Sequence, residues 1–289
     1  MPEAGVIHDI GYQRYEGVRL GRRYAARSIY VHSVRSAFGI GRSAKAKLLP
    51  AGMFALGCIA SLILVVVSSQ LPEPVITYVG IVSTFSYGIT AFAAIVAPEM
   101  VSRDLRNSLL PLYFSRPPHR TDYALAKFAA LITAIFVMFA GPLLIMFVGM
   151  AFSAPDIGEV FTQLGDLAPG VGAALVHAVV VAAIALPLAS LTGRRVFATG
   201  LIIGVFLLTA PVAGALQSFG EGDGSSLAGL INPVSLLNGV DSWLFSSGGE
   251  VTDEMTRIGS AGPIYGITAL LLTALGTALL MWRYKKVKA

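Results

Sequence analysis

The chain alternates between long apolar stretches and short polar connections. Six stretches contain no Lys, Arg, Asp or Glu, and they run over 48–72, 74–98, 128–155, 167–193, 196–220 and 258–282. Each is longer than the roughly 20 apolar residues that an α-helix needs to cross the hydrocarbon core of a bilayer. Because lipid offers the backbone no hydrogen-bond partners, these stretches predict six transmembrane α-helices, spans 1 to 6. The pattern therefore predicts an all-α integral membrane protein.

The composition agrees with lipid as the main solvent of the chain. Hydrophobic residues make up 55% of the sequence and charged residues 13%, whereas soluble domains carry about 25% charged residues. The single cysteine, Cys58, excludes a disulfide within the chain, and the sequence shows no Cys and His spacing typical of a metal site. The net charge of +5 does not predict a nucleic-acid partner. The distribution of the basic residues is explained by the predicted membrane topology, as described next.

The basic residues are gathered on one side of the predicted bundle. They fall in 1–47, in the 99–127 loop, between spans 4 and 5 and after span 6, with Arg257 as the one exception. Loops rich in Lys and Arg stay in the cytoplasm. We therefore predict a plasma-membrane protein with both termini cytoplasmic. It comprises a cytoplasmic N-terminal segment (1–47), a six-helix transmembrane domain (48–283) and a basic tail (284–289).

The N-terminal segment contains one amphipathic stretch. Its apolar row has helical spacing, is interrupted by Arg27, and consists of Leu20, Tyr24, Val31, Val34 and Phe38. This pattern predicts a helix at the cytoplasmic membrane surface, with its other arginines facing anionic lipid headgroups. A solvated basic tail is the alternative interpretation.

Two of the segments between spans contain apolar residues that predict local structure. In the 99–127 loop, Leu105, Leu109, Leu112 and Tyr113 give a short charged helix one apolar side, which suits a groove on a soluble partner. A solvated loop along the membrane surface is the alternative.

Between spans 5 and 6, residues 227–240 are apolar yet broken by Asn, Pro and Gly, and they are too short to span. They predict an extracellular re-entrant or interfacial segment.

The chain resembles the permease subunits of ABC-2 type transporters, particularly actinobacterial ones. The local match is carried by Arg103-Asp104, Leu109-Leu110, Ser115-Arg116-Pro117, Tyr123 and Lys127, and by Asn232-Pro233-Val234-Ser235 before the last span. Asn107-Ser108 stands where the family usually has Gly-Thr, and Pro111 is unexpected there. These departures leave the limits of the cytoplasmic coupling helix open.

The resemblance implies the permease of an ATP-driven exporter for an amphipathic or lipid-like substrate. Such a chain is not itself an enzyme and binds no cofactor, since ATP is held by a separate ABC ATPase subunit. A second permease copy, or a sister permease, and membrane lipid complete its expected partners. The residues expected to couple it to the ATPase are Arg103, Asp104, Leu105, Arg106, Leu109, Leu110, Leu112, Tyr113 and Arg116.

Four polar residues inside the spans are candidates for the substrate path. His177 is the one titratable side chain well inside a span, and Ser83, Tyr87 and Thr90 follow helical spacing in span 2. Intramembrane ionisable residues usually mark a function. The alternatives are a neutral histidine that bonds a neighbouring helix and hydroxyls that bond between helices.

Three other functions compete with the exporter. A proton-coupled secondary transporter should show repeats and ion-pairing charges near the midplane, and the sequence shows neither. A membrane-embedded enzyme needs a Ser and His pair, two acids or a metal motif, and His177 has no obvious nucleophile partner in the sequence. A structural or scaffolding membrane protein remains a third possibility.

Overall fold

The computed structural model describes residues 17, 20–71, 75–106, 119–219, 223–245 and 258–286 of the chain. The described residues are helical and include no β-strand. Six helices are long and apolar enough to cross a membrane, which confirms the predicted number of spans. They cover Ala44–Ser68, Tyr78–Arg106, Arg120–Ser153, Ile157–Ser190, Arg195–Phe219 and Gly262–Lys285. The chain is therefore a multi-pass membrane protein.

The helices extend beyond the charge-free stretches that predicted them. Span 2 continues to Arg106, span 3 already begins at Arg120, and span 4 begins at Ile157 rather than at residue 167. The absence of charge marks the part of a helix that lipid surrounds, whereas the helical backbone continues wherever its own hydrogen bonds do. Asp156 caps span 4 by accepting from the Glu159 N–H at 2.8 Å, so this helix starts well before its apolar part.

Span 4 lies at the centre of the bundle and contacts spans 2, 3, 5 and 6. Of the most apolar 18-residue stretch of span 4, 61% is buried inside the protein. The corresponding value is 17% for span 1, which packs mainly on span 3. The buried side of span 4 is rich in alanine. Small side chains let helix backbones approach closely, which is the usual basis of packing between helices in lipid.

Glycines set the closest approaches between spans. A Cβ atom at Gly276 of span 6 would overlap the carbonyl oxygen of Ala183 in span 4. At Gly149 of span 3, a Cβ atom would lie 2.5 Å from Val65 of span 1. These contacts fix the position of spans 1 and 6 against the centre of the bundle.

Span 5 is the one irregular span of the described chain. Its α-helix Arg195–Ile203 passes into a π-helical segment, Gly204–Leu208, before the α-helix Thr209–Phe219. Pro211 follows this segment and supplies no N–H to the preceding turn. Pro142 and Pro187 also lie inside their spans, as the sequence predicts, but spans 3 and 4 remain continuous α-helices around them.

A helix over Arg22–Ala37, called the N-terminal helix below, packs against spans 2 and 3. Its existence was predicted, and two residues of the predicted apolar row, Val34 and Phe38, pack against the core of the bundle. Leu20 and Tyr24 are 58% and 55% exposed, while the inward side chains are Ile29, Tyr30, Ser33, Val34 and Ala37. Tyr30 Oη lies 3.0 Å from Thr133 Oγ1 of span 3. The expected row counted only apolar residues, whereas small and hydroxyl-bearing residues also pack between helices.

A second short helix, Pro233–Leu244, lies between spans 5 and 6 in the chain and is called the wedge helix below. It contacts spans 2, 4, 5 and 6. Trp243 packs on Gly262 and Gly266 of span 6, and Gly239 lies against the Tyr265 ring. Phe245, which follows the helix, lies against Gly172 of span 4. The wedge helix therefore joins four spans at one place.

We expect Gly276→Ala to destabilise the bundle, because the new methyl group has no space beside the Ala183 backbone. Overpacking of this kind costs on the order of 1–3 kcal/mol. Gly200→Ala in span 5 is the matched control, since nothing lies within 4 Å of its Cβ position. The thermal midpoint of the detergent-solubilised protein should fall for Gly276→Ala and not for the control. Equal midpoints for the two variants would contradict the close approach.

Candidate functional site

The wedge helix is anchored at its start by Asn232, which is fully buried. The side-chain oxygen of Asn232 accepts from the N–H groups of Val234 and Ser235 at 3.0 and 2.9 Å and so caps the helix. Its side-chain nitrogen donates to the Phe206 carbonyl at 2.7 Å and to Thr209 Oγ1 at 2.9 Å. Both acceptors belong to the irregular part of span 5. One side-chain amide therefore caps the wedge helix and connects it to the π-helical part of span 5.

The other end of the wedge helix is anchored by Asp241, which is 2% exposed. Its Oδ2 atom lies 2.7 Å from His177 Nε2 in span 4 and accepts from Ser83 Oγ in span 2 at 3.2 Å. Its Oδ1 atom is buried and has no hydrogen-bond partner among the described residues. A carboxylate from outside the six spans thus reaches two of them.

His177 joins this carboxylate to a second hydroxyl. Its Nδ1 atom lies 3.0 Å from Ser86 Oγ of span 2, and the Phe139 ring packs edge-on against the imidazole with centroids 5.7 Å apart. Ser86 also donates to the Val82 carbonyl at 2.7 Å. His177 is 1% and Ser86 is 3% exposed. We call Ser83, Ser86, His177 and Asp241 the buried polar cluster.

The sequence predicted His177 and Ser83 as candidates but missed Ser86 and Asp241. Ser86, on the neighbouring span 2, lies within hydrogen-bond distance of His177. Asp241 follows directly after the apolar stretch 227–240 and was assigned to an outer loop because charge was used to mark the ends of spans. Local sequence provides no signal for its burial, because acidic residues are mostly exposed and are buried only when they are paired.

The three hydroxyl residues singled out along span 2 have different surroundings. Ser83 belongs to the buried polar cluster, whereas Tyr87 is 44% exposed on the surface of the described chain. Thr90 is buried at 5% exposure, and its Oγ1 atom has no partner among the residues that the structure describes. The structure therefore brings Ser83 and His177 to the same carboxylate oxygen, Asp241 Oδ2.

Of the residues expected to couple to an ATPase, Asp104 has a described environment. It accepts from Tyr123 Oη at 2.6 Å and pairs with Lys127 Nζ at 2.9 Å, both on span 3. Arg103, Leu105 and Arg106 continue the helical backbone of span 2, and their side chains are not described. The others lie outside the described residues: Leu109, Leu110, Leu112, Tyr113 and Arg116.

Ion pairs tie the span ends together at one end of the bundle. Glu99 of span 2 is 7% exposed and holds Arg42 before span 1 at 2.5 Å, and it also pairs with Arg195 of span 5. Since both arginines are partly exposed to solvent, each ion pair contributes less to stability than its short distance implies. Sequence patterning did not single out Glu99, because its two partners lie far from it in the chain.

The N-terminal helix and span 6 join the same network. Arg22 donates to both carboxylate oxygens of Asp122 at 2.5 and 2.7 Å, and these hydrogen bonds raise the pKa of the Arg22 guanidinium. Arg120 donates to the Lys285 carbonyl at 2.5 Å. We call this end of the bundle, where basic residues from four chain segments meet, the basic end.

The buried polar cluster has the residue types of a serine hydrolase but not the arrangement. Ser86 is buried, and its hydroxyl donates to the backbone of its own helix, so it is not presented to a substrate. No group of three or more His, Cys, Asp or Glu residues that could hold a metal is found among the described residues. The hydrogen bonds of the cluster fasten the wedge helix to spans 2 and 4.

Comparison with known proteins does not extend this description. No model of a known protein family matches the chain. A search of curated proteins finds no match either. The functional argument therefore rests on the residues and their geometry.

We expect Asn232→Ala to destabilise the protein by roughly 2–4 kcal/mol, because it removes a helix cap and leaves a buried carbonyl without its donor. Asn238→Ala on the same helix is the matched control, since the Asn238 Oδ1 atom has no partner among the described residues. Unfolding of the two variants in detergent, compared with that of the wild type, measures the difference. A loss from Asn238→Ala as large as that from Asn232→Ala would contradict the anchoring role.

Proposed function

We propose that the chain is the permease subunit of an ATP-driven ABC-2 type exporter. The observation that supports this most is the order of parts along the bundle. An N-terminal helix packs on span 3, six spans follow, and a wedge helix lies between spans 5 and 6. The segment between spans 2 and 3 leaves from the basic end, where a soluble ATPase would bind. This order of parts is the one that the sequence resemblance implies.

The contacts of span 2 support a route by which an ATPase would move the spans. The helix of span 2 continues to Arg106, immediately before the segment expected to enter the ATPase. In this final part, Asp104 contacts span 3 through Tyr123 and Lys127. Glu99, further back, holds the starts of spans 1 and 5 through Arg42 and Arg195. A displacement of the segment would therefore act on spans 1, 2, 3 and 5 together.

We further propose that the wedge helix is a re-entrant element inside the membrane. Asn232 bonds Phe206, which lies near the middle of span 5, and Asp241 bonds His177, which lies inside the apolar part of span 4. Polar groups at such depth require partners within the protein, and both residues have them. The N-terminal helix would lie along the cytoplasmic surface, with exposed Arg23, Arg27 and Arg35 directed to lipid headgroups.

An amphipathic or lipid-like substrate fits the described spans better than a small ion does. Apart from the buried polar cluster, the described parts of the spans hold their charged residues near the helix ends. The cluster itself is closed off by its own hydrogen bonds and by burial. The faces left exposed by spans 1, 5 and 6 are apolar and would contact lipid, cargo or a second permease.

A proton-coupled secondary transporter is the second candidate, and one observation favours it. The His177 and Asp241 pair is an interacting acid and base inside the bundle, which that class of transporter typically requires. The two candidates differ in their energy source. Transport that survives ATP depletion and stops when the proton gradient is collapsed would select the secondary transporter.

We expect an ABC ATPase subunit to co-purify with the tagged chain from native membranes. Leu109→Asp and Leu112→Asp should each reduce its recovery at least about tenfold, because about 1.4 kcal/mol of lost binding energy suffices for that change. Quantitative mass spectrometry of the purified complex measures the ratio of the two chains.

The matched control is Asn107→Asp, which adds the same charge on the opposite side of the expected helix and should keep the ATPase bound. Wild-type complexes without any ATPase, from membranes where the neighbouring ATPase genes are expressed, would refute the proposed assembly. Equal recovery from Leu109→Asp and wild type would refute the docking segment alone.

We expect the basic end to face the cytoplasm. In a Cys58→Ser background, Ser28→Cys on the N-terminal helix and Ser153→Cys at the end of span 3 place exposed thiols at the two ends of the bundle. A membrane-impermeant maleimide should label Ser153→Cys in intact cells and Ser28→Cys only after permeabilisation. The reverse pattern would invert the topology and remove the basis for an ATPase at the basic end.

A further inference from the structure

The starts of spans 1 and 5 meet at one buried carboxylate of span 2. Glu99 Oε1 holds Arg42 Nη1 at 2.5 Å, and its other oxygen, Oε2, pairs with Arg195 Nη1. Because both guanidinium groups bond to the same carboxylate, they lie close to each other. The carboxylate is 7% exposed, whereas the two arginine side chains are 34% and 51% exposed. Glu99 therefore fixes two cations from the inner side and leaves part of each one facing outward.

Positive charge exceeds negative charge at this place. Arg194, directly before span 5, is exposed, and its guanidinium lies 5.9 Å from the centroid of the Phe197 ring. Lys45, in the first turn of span 1, is exposed as well. The sequence has no Asp or Glu in 17–72 or in 167–220, so the segments that carry these cations supply no acid to balance them. Four cations and one carboxylate leave a surplus of three positive charges.

The starts of the two helices add to the positive potential. Ser43 precedes span 1 and Arg194 precedes the first helix of span 5, and neither residue caps its helix with a side-chain hydrogen bond. The first N–H groups of a helix have no partner within the helix. Together with the helix dipole, they favour an anion at the N-terminus. The helix starts and the arginines therefore favour a negatively charged group at the same place.

The residues that follow these cations are apolar and exposed. In span 1 they are Leu48 and Leu49, and in span 5 they are Val196, Phe197 and Leu201. Among the described residues, spans 1 and 5 do not pack extensively against each other, so both sets of side chains stay open to their surroundings. From the basic end inward, the surface thus changes from cationic to apolar within a few residues.

We propose that this surface, called the arginine site below and formed by Arg42, Lys45, Arg194, Arg195 and Glu99, binds an anionic phospholipid. The lipid phosphate accepts hydrogen bonds from guanidinium N–H groups that the carboxylate does not use, since each guanidinium has five. The acyl chains pack along the exposed apolar residues of spans 1 and 5 that follow the cations. Basic sites between helices at the cytoplasmic side of a membrane suit such headgroups.

The apolar residues favour a lipid over a soluble anion. A free phosphate would contact the cations alone and leave the apolar side chains of spans 1 and 5 uncovered. The arginine site also differs from the N-terminal helix, whose general attraction to headgroups needs no defined site, because a buried carboxylate fixes two of its cations. The inference rests on the position of the basic end at a membrane surface, proposed above, and does not require an ATPase.

Lipid titration of the detergent-solubilised protein, followed by native mass spectrometry, measures this binding. The wild type should bind dioleoyl phosphatidylglycerol at least about tenfold more tightly than dioleoyl phosphatidylcholine, which has a phosphate but no net charge. Arg194→Gln removes an exposed cation of the arginine site and leaves both ion pairs of Glu99 in place. We expect this variant to bind phosphatidylglycerol about fivefold more weakly than the wild type.

Lys286→Gln is the matched control. Lys286 is also an exposed cation at the basic end, and its Nζ atom lies 3.7 Å from the centroid of an aromatic ring, that of Trp282. It belongs to the end of span 6, outside the arginine site, so the affinity for phosphatidylglycerol should stay at the wild-type value. Equal weakening by Lys286→Gln and Arg194→Gln would overturn the proposal, because the general attraction of a basic surface explains that result. Equal affinities of the wild type for the two lipids would overturn it as well.

Two further measurements identify the ligand. Glycerol phosphate has the anionic group without the acyl chains, and even in large excess it should not displace phosphatidylglycerol. Displacement would show a site for soluble anions and refute the lipid. If Arg194→Gln lost a co-purifying ATPase but kept the wild-type lipid affinity, the surface would belong to that protein partner instead. A chain that selects phosphatidylglycerol but recovers no ATPase would support this inference and refute only the exporter.

Discussion

A polar group inside an apolar bundle must find its partner within the protein, and this constraint organises the described structure. Asn232 uses both of its side-chain N–H groups and its oxygen in bonds to the wedge helix and span 5. His177 and Asp241 face each other rather than lipid. In water each of these bonds would contribute little net stability, but in lipid leaving a partner unsatisfied costs several kcal/mol. The wedge helix therefore occupies the position where its polar ends are satisfied.

The same constraint divides the bundle into two polar regions with an apolar part between them. At the basic end, Glu99 and Asp122 hold arginine side chains that remain partly exposed, whereas Asp104 holds the buried Lys127. In the buried polar cluster, the acid and the base are both enclosed. Exposed pairs are screened and weak, whereas enclosed pairs are costly to break. The exposed arginine pairs can therefore rearrange at low cost, whereas the buried polar cluster holds the wedge helix firmly against spans 2 and 4.

The spans could be predicted from the sequence, because the cost of an unpaired charge in lipid is a local property of each stretch. The same reasoning misplaced Asp241. Its partner, His177, lies 64 residues earlier in the chain, and a rule based on local charge cannot see a pair that forms only after folding. Glu99 was overlooked for the same reason. Packing of the N-terminal helix against span 3 also uses small and hydroxyl side chains, such as Ser33, that hydrophobicity alone does not identify.

The dependence of span 5 on Asn232 also affects how the protein is made. The chain enters the membrane in order from its N-terminus, and span 5 is complete before residue 232 has been synthesised. During that interval the Phe206 carbonyl lacks the amide that later bonds it. Span 5 thus enters the membrane before the side chain that bonds its Phe206 carbonyl has been made, so assembly of this part of the protein takes two steps.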